Sequence, residues 1–194
     1  RVKTVSNKDD EIYKEEFRSF LPLLKELYPE TFKVVECQLI NEFGILIHWK
    51  GKNSTRKPVV LMAHHDVVSD EGQNWQHPAF EAEIIDGVIW GRGTMDTKCS
   101  ACCFLQAAEE LLAEGYQPDV DIYFAGSCTE EISGDGAPKT VAWLKEQGVK
   151  LSLVLDEGGA IMDEPVGGVK GTYAMVGVLE KGYGDLKFTA KSKG

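Results

Sequence analysis

The sequence predicts a layered α/β domain. Strand-length apolar runs alternate along the chain with stretches whose apolar residues recur at helical spacing, the pattern of sheets covered by helices. The composition is that of an ordinary globular protein, 43% hydrophobic and 27% charged, which argues against disordered, collagen-like or low-complexity chains. At 194 residues, a chain of this size buries roughly 70% of its unfolded surface, enough for one core.

The elements follow in order. Asn7 to Tyr28 reads as an amphipathic helix, with Ile12, Phe17, Phe20, Leu21, Leu24 and Leu27 on its apolar face. Strand-like runs follow at Phe32 to Cys37, Gly44 to Trp49 and Pro58 to Ala63. Phe80 to Ile85 and Val88 to Trp90 flank Asp86-Gly87, a two-residue hairpin signal. A long helix is expected from Thr97 to Gly115, with Ala101, Leu105, Ala108, Leu111 and Leu112 on one face and Gly115 as its stop. Val120 to Ala125 reads as a strand, Lys139 to Glu146 as a helix and Leu151 to Leu155 as a strand. Thr172 to Leu179 and Asp185 to Ala190 read as two further strands. The chain then stops at Lys191-Ser192-Lys193-Gly194 without a closing element, which reads as part of something larger.

The net charge is −10, which argues against a nucleic-acid partner, since such proteins carry basic patches. No apolar run approaches the roughly 18 residues of a membrane span, and Arg1 to Val5 shows no secretory apolar segment. The first residue is not Met, which leaves room for a removed leader. Five cysteines, an odd number, do not make a disulfide framework; they point to reduced thiols and a cytoplasmic location. Cys99, Cys102 and Cys103 share a face of the long helix and read as small buried residues. His77 reads as a loop residue and His48 as a strand residue, packed or facing solvent.

Four segments could carry chemistry. His64-His65-Asp66 follows the apolar run at 59–63; strand alternation points His64 and Asp66 the same way. A metal-bound imidazole gives its second N–H to an acceptor such as a carboxylate, and Asp66 suits that need. Asp96, in Gly91-Arg92-Gly93-Thr94-Met95-Asp96-Thr97-Lys98, stands near the start of the long helix, where an acid also serves as a cap. Glu130-Glu131 follows the strand ending at Ala125, and Asp156-Glu157-Gly158-Gly159 follows the strand ending at Leu155. Singly, these read as a surface His–Asp pair, a helix cap, solvated charge and a turn. Together, four places in chain order offer one imidazole and several carboxylates, a nitrogen and oxygen set that suits a catalytic zinc site. With one bridging acid such a site holds two metals about 3.5–4 Å apart.

These four segments, with Leu61-Met62-Ala63 before the first and Thr129 before the glutamates, resemble the zinc-dependent di-metal exopeptidases, the family of aminoacylase, carboxypeptidase S, carboxypeptidase G and the succinyl-diaminopimelate desuccinylases. Trp75 to Phe80 and Asp156 to Gly159 resemble most the branch of carboxypeptidase S and the N-fatty-acyl amino acid hydrolases. The resemblance implies a three-layer domain with a mostly parallel central sheet flanked by helices. Residues 1–178 would be the N-terminal part of the catalytic domain and 179–194 the start of a lid or dimerisation domain. It implies that His64 binds one zinc, that Asp66 orients it and that Asp96 bridges two ions. It further implies that Glu130 is the general base, that Glu131 binds the second zinc, and that Glu157, rather than Asp156, completes the first site. Ser69 and Thr129 depart from the family's usual Pro and Asp, and neither removes a ligand.

The implied reaction is hydrolysis of an amide bond beside a free carboxylate, in a short peptide or an N-acyl amino acid. The family holds two zinc ions per full-length subunit and draws a late His ligand, the lid and the dimer contact from beyond the point where this chain stops. The 194-residue chain alone is therefore expected to hold one zinc or none and to be inactive. A non-catalytic relative acting as a binding or regulatory protein is the rival reading, disfavoured by retention of both Glu130 and Glu131. A magnesium or calcium site for phosphate chemistry is disfavoured by His64, because those ions prefer all-oxygen shells.

Overall fold

A computed structural model describes residues 1–7, 13–179, 182, 184 and 186–192. The chain divides into two compact units, Arg1–Glu157 and Gly158–Gly194.

The first unit is built on a five-stranded sheet. Its strands are β1 (Glu36–Ile40), β2 (Gly44–Trp49), β3 (Val59–His64), β6 (Ile122–Ser127) and β7 (Leu153–Leu155), in the order β1-β2-β6-β3-β7. β1 pairs antiparallel with β2, and β2 antiparallel with β6. β3 pairs parallel with both β6 and β7. All strands but β2 thus run the same way. A separate hairpin, β4 (Glu83–Ile85) and β5 (Val88–Trp90), turns at Asp86-Gly87. Both turn residues have positive φ, 50° and 77°, as a type I′ turn requires.

Alternation along the strands splits the core into two layers. Ile45, Ile47, Trp49 and Phe124 face Phe20 and Leu24 of α1 (Lys14–Leu27) and Leu105 and Ala108 of α3 (Lys98–Ala113). Leu46, Val60, Tyr123 and Ala125 face the opposite way, onto Leu144 of α4 (Gly136–Glu146). This is the helix–sheet–helix layering expected from the alternation of elements. No helix among the described residues is long and apolar enough to cross a membrane.

Several boundaries differ from the sequence reading. The first helix starts at Lys14 rather than Asn7, and residues 8–12 lie outside those described. Phe32 to Val34, expected as strand, belong to a short helix, α2 (Pro29–Val34). Pro29 opens that helix with the fixed φ of a first position. Glu109 of α3 caps it: its carboxylate accepts the N–H groups of Glu30 and Thr31 at 2.8 and 2.7 Å and the Thr31 hydroxyl at 2.7 Å. Long-range capping of this kind leaves no local signal. α4 begins at Gly136, three residues before the expected Lys139, because the Gly136 N–H is met by the Thr129 hydroxyl at 3.0 Å. α3 ends as expected, with Gly115 at φ 78° and the Tyr116 N–H on the Leu111 carbonyl.

Burial works against ionisation of Glu109, but the Thr31 hydroxyl and the two helix N–H groups outweigh it and hold its carboxyl below the usual range. The cap therefore contributes fully above the ordinary glutamate value of about 4.3 and is lost as pH falls through the lower folded value. Glu109→Ala is expected to destabilise the fold by about 1 kcal/mol near neutral pH, read by urea denaturation. The difference from the parent should shrink under acid; a difference that grows under acid would contradict this role.

In the second unit, β8 (Ile161–Asp163) pairs antiparallel with β9 (Thr172–Ala174). The strand expected at Thr172 to Leu179 ends at Ala174, and residues 186–190 hold no regular structure; Asp185 lies outside the described residues. Beyond the β8–β9 pair, no ladder partner is present among the described residues to hold these segments extended.

Candidate metal centre

The three parallel strands bring their carboxyl ends side by side. His64 ends β3 in register with Ser127, the end of β6, and Leu61 is in register with Leu155, the end of β7. The chain then leaves these strands through Asp66, through Glu130-Glu131 and through Asp156-Glu157. Open α/β sheets place ligands at such strand ends. Asp96 arrives from the loop before α3.

His64 is the centre of the cluster, its side chain 2% exposed. Its Nδ1 donates to the backbone carbonyl of Asp66 at 2.9 Å. Its Nε2 lies 2.8 Å from Asp96 Oδ1, 3.2 Å from Glu157 Oε2 and 3.8 Å from Glu130 Oε2. Ligand-type atoms of His64, Asp96 and Glu131 lie within 4.8 Å of one another, as do those of His64, Glu130 and Glu157. The structure therefore brings together His64, Asp66, Asp96, Glu130, Glu131 and Glu157. Asp156 instead accepts the Glu157 N–H at 2.9 Å.

Asp66 is fully buried and stands beneath the cluster. Its two carboxylate oxygens accept the N–H groups of Glu130 and Glu131, each at 3.1 Å. Its nearer carboxylate oxygen is 3.6 Å from His64 Nδ1, so the atom within hydrogen-bond reach of that ring is the Asp66 carbonyl. One residue thus meets both the imidazole, through its carbonyl rather than the carboxylate that strand alternation suggested, and the glutamate pair, through its carboxylate.

The electrostatics follow from burial and crowding. Burial alone would lower the His64 imidazole, but the nearby Asp66 carboxylate, the hydrogen bond to the Asp66 carbonyl and the charge of Glu157 raise it to about 10. Burial, then the neighbouring Asp96 charge, raise Glu131 above the usual carboxylate range. Burial likewise raises Glu157, with Asp96 and Glu130 adding to the repulsion and His64 offsetting part of it. Asp66 goes the other way: burial opposes its ionisation, but His64 and the two glutamate N–H groups hold it below the usual range. Among the described residues none of these five carboxylates has a lysine or arginine partner within 4.0 Å. The donor set, one imidazole nitrogen and several crowded carboxylate oxygens, fits a divalent metal.

Supporting residues went unread in the sequence. The N-terminal segment adds a parallel bridge, Val5 to Val67, and the Thr4 hydroxyl donates to the His65 carbonyl. His65 points away from His64 into the core, as strand alternation requires, and stacks on Phe20 at 4.8 Å. Burial pushes its imidazole down to about 4, so the ring is neutral at neutral pH. His48 is part-buried, stacked on Tyr123 and bonded to Asp121 at 2.9 Å, and His77 packs on Trp90; neither approaches the cluster. Cys102 and Cys103, expected to be buried, are exposed and Cys99 is half-buried, because α3 turns Ala101, Leu105 and Ala108 rather than the thiols toward the sheet.

Fold and cluster together define an α/β protein that gathers metal-ligand side chains at the carboxyl ends of parallel strands. Residues 60–184 match the peptidase family M20/M25/M40, and the chain belongs to that family. It is 38% identical over 196 residues to the N-fatty-acyl-amino acid synthase/hydrolase PM20D1.1 of Danio rerio, covering 99% of this chain and 38% of that protein. It is 37% identical over 194 residues to the probable carboxypeptidase S-like 2 of Dictyostelium discoideum, covering 96% and 37%. The chain thus spans less than two-fifths of the length of these relatives. Among solved structures it resembles human carnosine dipeptidase 1, with a TM-score of 0.67 at 18% identity, covering 84% of this chain and 37% of that one. It also resembles an M20 family metallo-carboxypeptidase from Sulfolobus solfataricus, with a TM-score of 0.63 at 20% identity, covering 84% and 36%. Both likenesses bear on the fold.

Proposed function

We propose that this chain forms the metal site of a zinc-dependent amidohydrolase or peptidase that releases an amino acid from an N-acyl amino acid or a short peptide. The observation that supports this best is the convergence of Asp96, Glu130 and Glu157 on one nitrogen of the buried His64, with Glu131 alongside and no basic partner within 4.0 Å among the described residues. Carboxylates crowded around one buried imidazole, with no such basic partner to offset them, suit a cation. The relatives' names, carboxypeptidase and N-fatty-acyl-amino acid hydrolase, supply the reaction class.

In this reading His64, Asp96, Glu131 and Glu157 would hold zinc, and Asp96 would be the carboxylate that serves both ions, as the family resemblance implies. Zinc bound there would lower the pKa of a water toward about 7 and polarise the scissile carbonyl. Glu130 takes the proton from the attacking water and delivers it to the leaving amine. Asp66 holds Glu130 and Glu131 by their backbone N–H groups and His64 through its own carbonyl, so base and ligands share one anchor. The Nδ1–H bond to that carbonyl leaves Nε2 as the nitrogen for the metal.

The test is zinc content by elemental analysis after equilibration with zinc, beside His64→Ala. The expected result is about one zinc or more per chain, lost in the variant. No zinc in the parent chain, or equal zinc in both, would overturn the reading. Hydrolysis is assayed on the natural full-length form with N-acyl amino acids; turnover that persists unchanged under a zinc chelator would contradict a metal-dependent reaction.

A further inference from the structure

We propose that Cys99 and Cys102 form a reversible redox pair in the first turn of α3, whose oxidation displaces the Met95–Asp96 segment. α3 starts at Lys98, so Cys99 is its second residue and Cys102 lies one turn on, a Cys-x-x-Cys placed at a helix start. Both thiols line a groove of about 430 Å³, together with Cys103, Leu23, Leu27 and Ile89, so a small disulfide reagent reaches them from solvent. Neither Cys99 nor Cys102 is engaged in a disulfide.

The coupling to the site is geometric. Cys99 Sγ donates to the Met95 carbonyl at 3.0 Å, and Met95 precedes Asp96, whose Oδ1 meets His64 Nε2 at 2.8 Å. Helical residues three apart hold their Cβ atoms about 5–6 Å apart, whereas a disulfide needs about 3.5–4.5 Å. Closing the bond therefore draws the first turn inward by about 1–2 Å. It also removes the S–H that meets the Met95 carbonyl, one residue before Asp96.

The chemistry is thiol–disulfide exchange with a small-molecule disulfide such as oxidised glutathione. One protein thiolate attacks a sulfur of the reagent; the reagent's S–S bond breaks and one small thiolate leaves. The second protein thiolate attacks the protein sulfur of the mixed disulfide and expels the other small thiolate. The protein loses two protons and two electrons, and the reagent becomes two thiols.

The experiment incubates the chain with oxidised glutathione and maps the product by mass spectrometry. It then compares amide hydrogen exchange over residues 91–98 in oxidised and reduced chains. The expected product is an internal Cys99–Cys102 bond, retained in Cys103→Ser, absent in Cys102→Ser, and reversed by dithiothreitol. Exchange over 91–98 should rise by about tenfold in the oxidised parent and stay unchanged in Cys102→Ser. Mixed disulfides without an internal bond, or an internal bond that leaves exchange over 91–98 unaltered, would overturn the proposal. Mapping and exchange are read without zinc, so a failure of the metal reading is seen separately.

Discussion

On the proposed function, Glu130→Gln is expected to lower hydrolysis of N-acyl amino acids by about 10²- to 10⁴-fold, the usual worth of a general base, while zinc content stays at the parent level. Two features of the cluster make this a sharp test. Of the three carboxylates measured from His64 Nε2, Glu130 lies farthest, at 3.8 Å against 2.8 Å for Asp96 and 3.2 Å for Glu157. It is also half-exposed, so its carboxylate has room to meet a substrate and a water together. Yet Glu130 is close enough to count as a ligand with His64 and Glu157. Gln keeps the shape and one coordinating oxygen but cannot take a proton at neutral pH. Zinc retained with turnover lost identifies a base; zinc lost along with turnover makes Glu130 a ligand and sinks the assignment made above.

Asp66→Ala is expected to be the most damaging substitution at the site. It strands the Glu130 and Glu131 N–H groups, which donate to Asp66 in the parent. Each donor left unpaired in this part-buried place costs about 1–3 kcal/mol, so a loss of about 2–6 kcal/mol in urea denaturation is expected. Zinc affinity should fall by about 10- to 100-fold, the usual consequence of removing a residue that orients ligands. Asp66→Asn restores one acceptor oxygen but turns an amide N–H₂ toward the other donor, so its stability should fall between parent and Ala. An Ala variant that melts within about 0.5 kcal/mol of the parent, the range of an ordinary surface change, would show that Asp66 carries no such burden.

Much of this was readable before the structure. Asp86-Gly87 announced its hairpin because only residues tolerant of positive φ suit that turn, and Gly115 marked the end of α3 for the same reason. His64, Glu130-Glu131 and Asp156-Glu157 stood out as ligand residue types just beyond apolar runs and Asp96 as an acid before the long helix, while the choice of Glu157 over Asp156 came from the family resemblance. What escaped was decided by partners distant in sequence. α2 needed Glu109, on another helix, to meet its first N–H groups. The exposure of Cys102 and Cys103 depended on which face of α3 met the sheet, and three cysteines beside several alanines do not decide that. The double service of Asp66 needed the β6 exit loop to fold back over β3, which no local pattern records.

The placing of β3 between β6 and β7 has one more consequence. His64, Asp96, Glu131 and Glu157 stand on separate stretches of chain, and the pairs β3–β6 and β3–β7 must both be in register before these residues meet. The unfolded chain offers these ligand types only in separate short stretches. If the site takes zinc as proposed and the unfolded chain does not, free zinc at 100 times its dissociation constant adds about 2.7 kcal/mol to the native state. The midpoint of unfolding, followed against zinc concentration, becomes a gauge of how completely the sheet has closed.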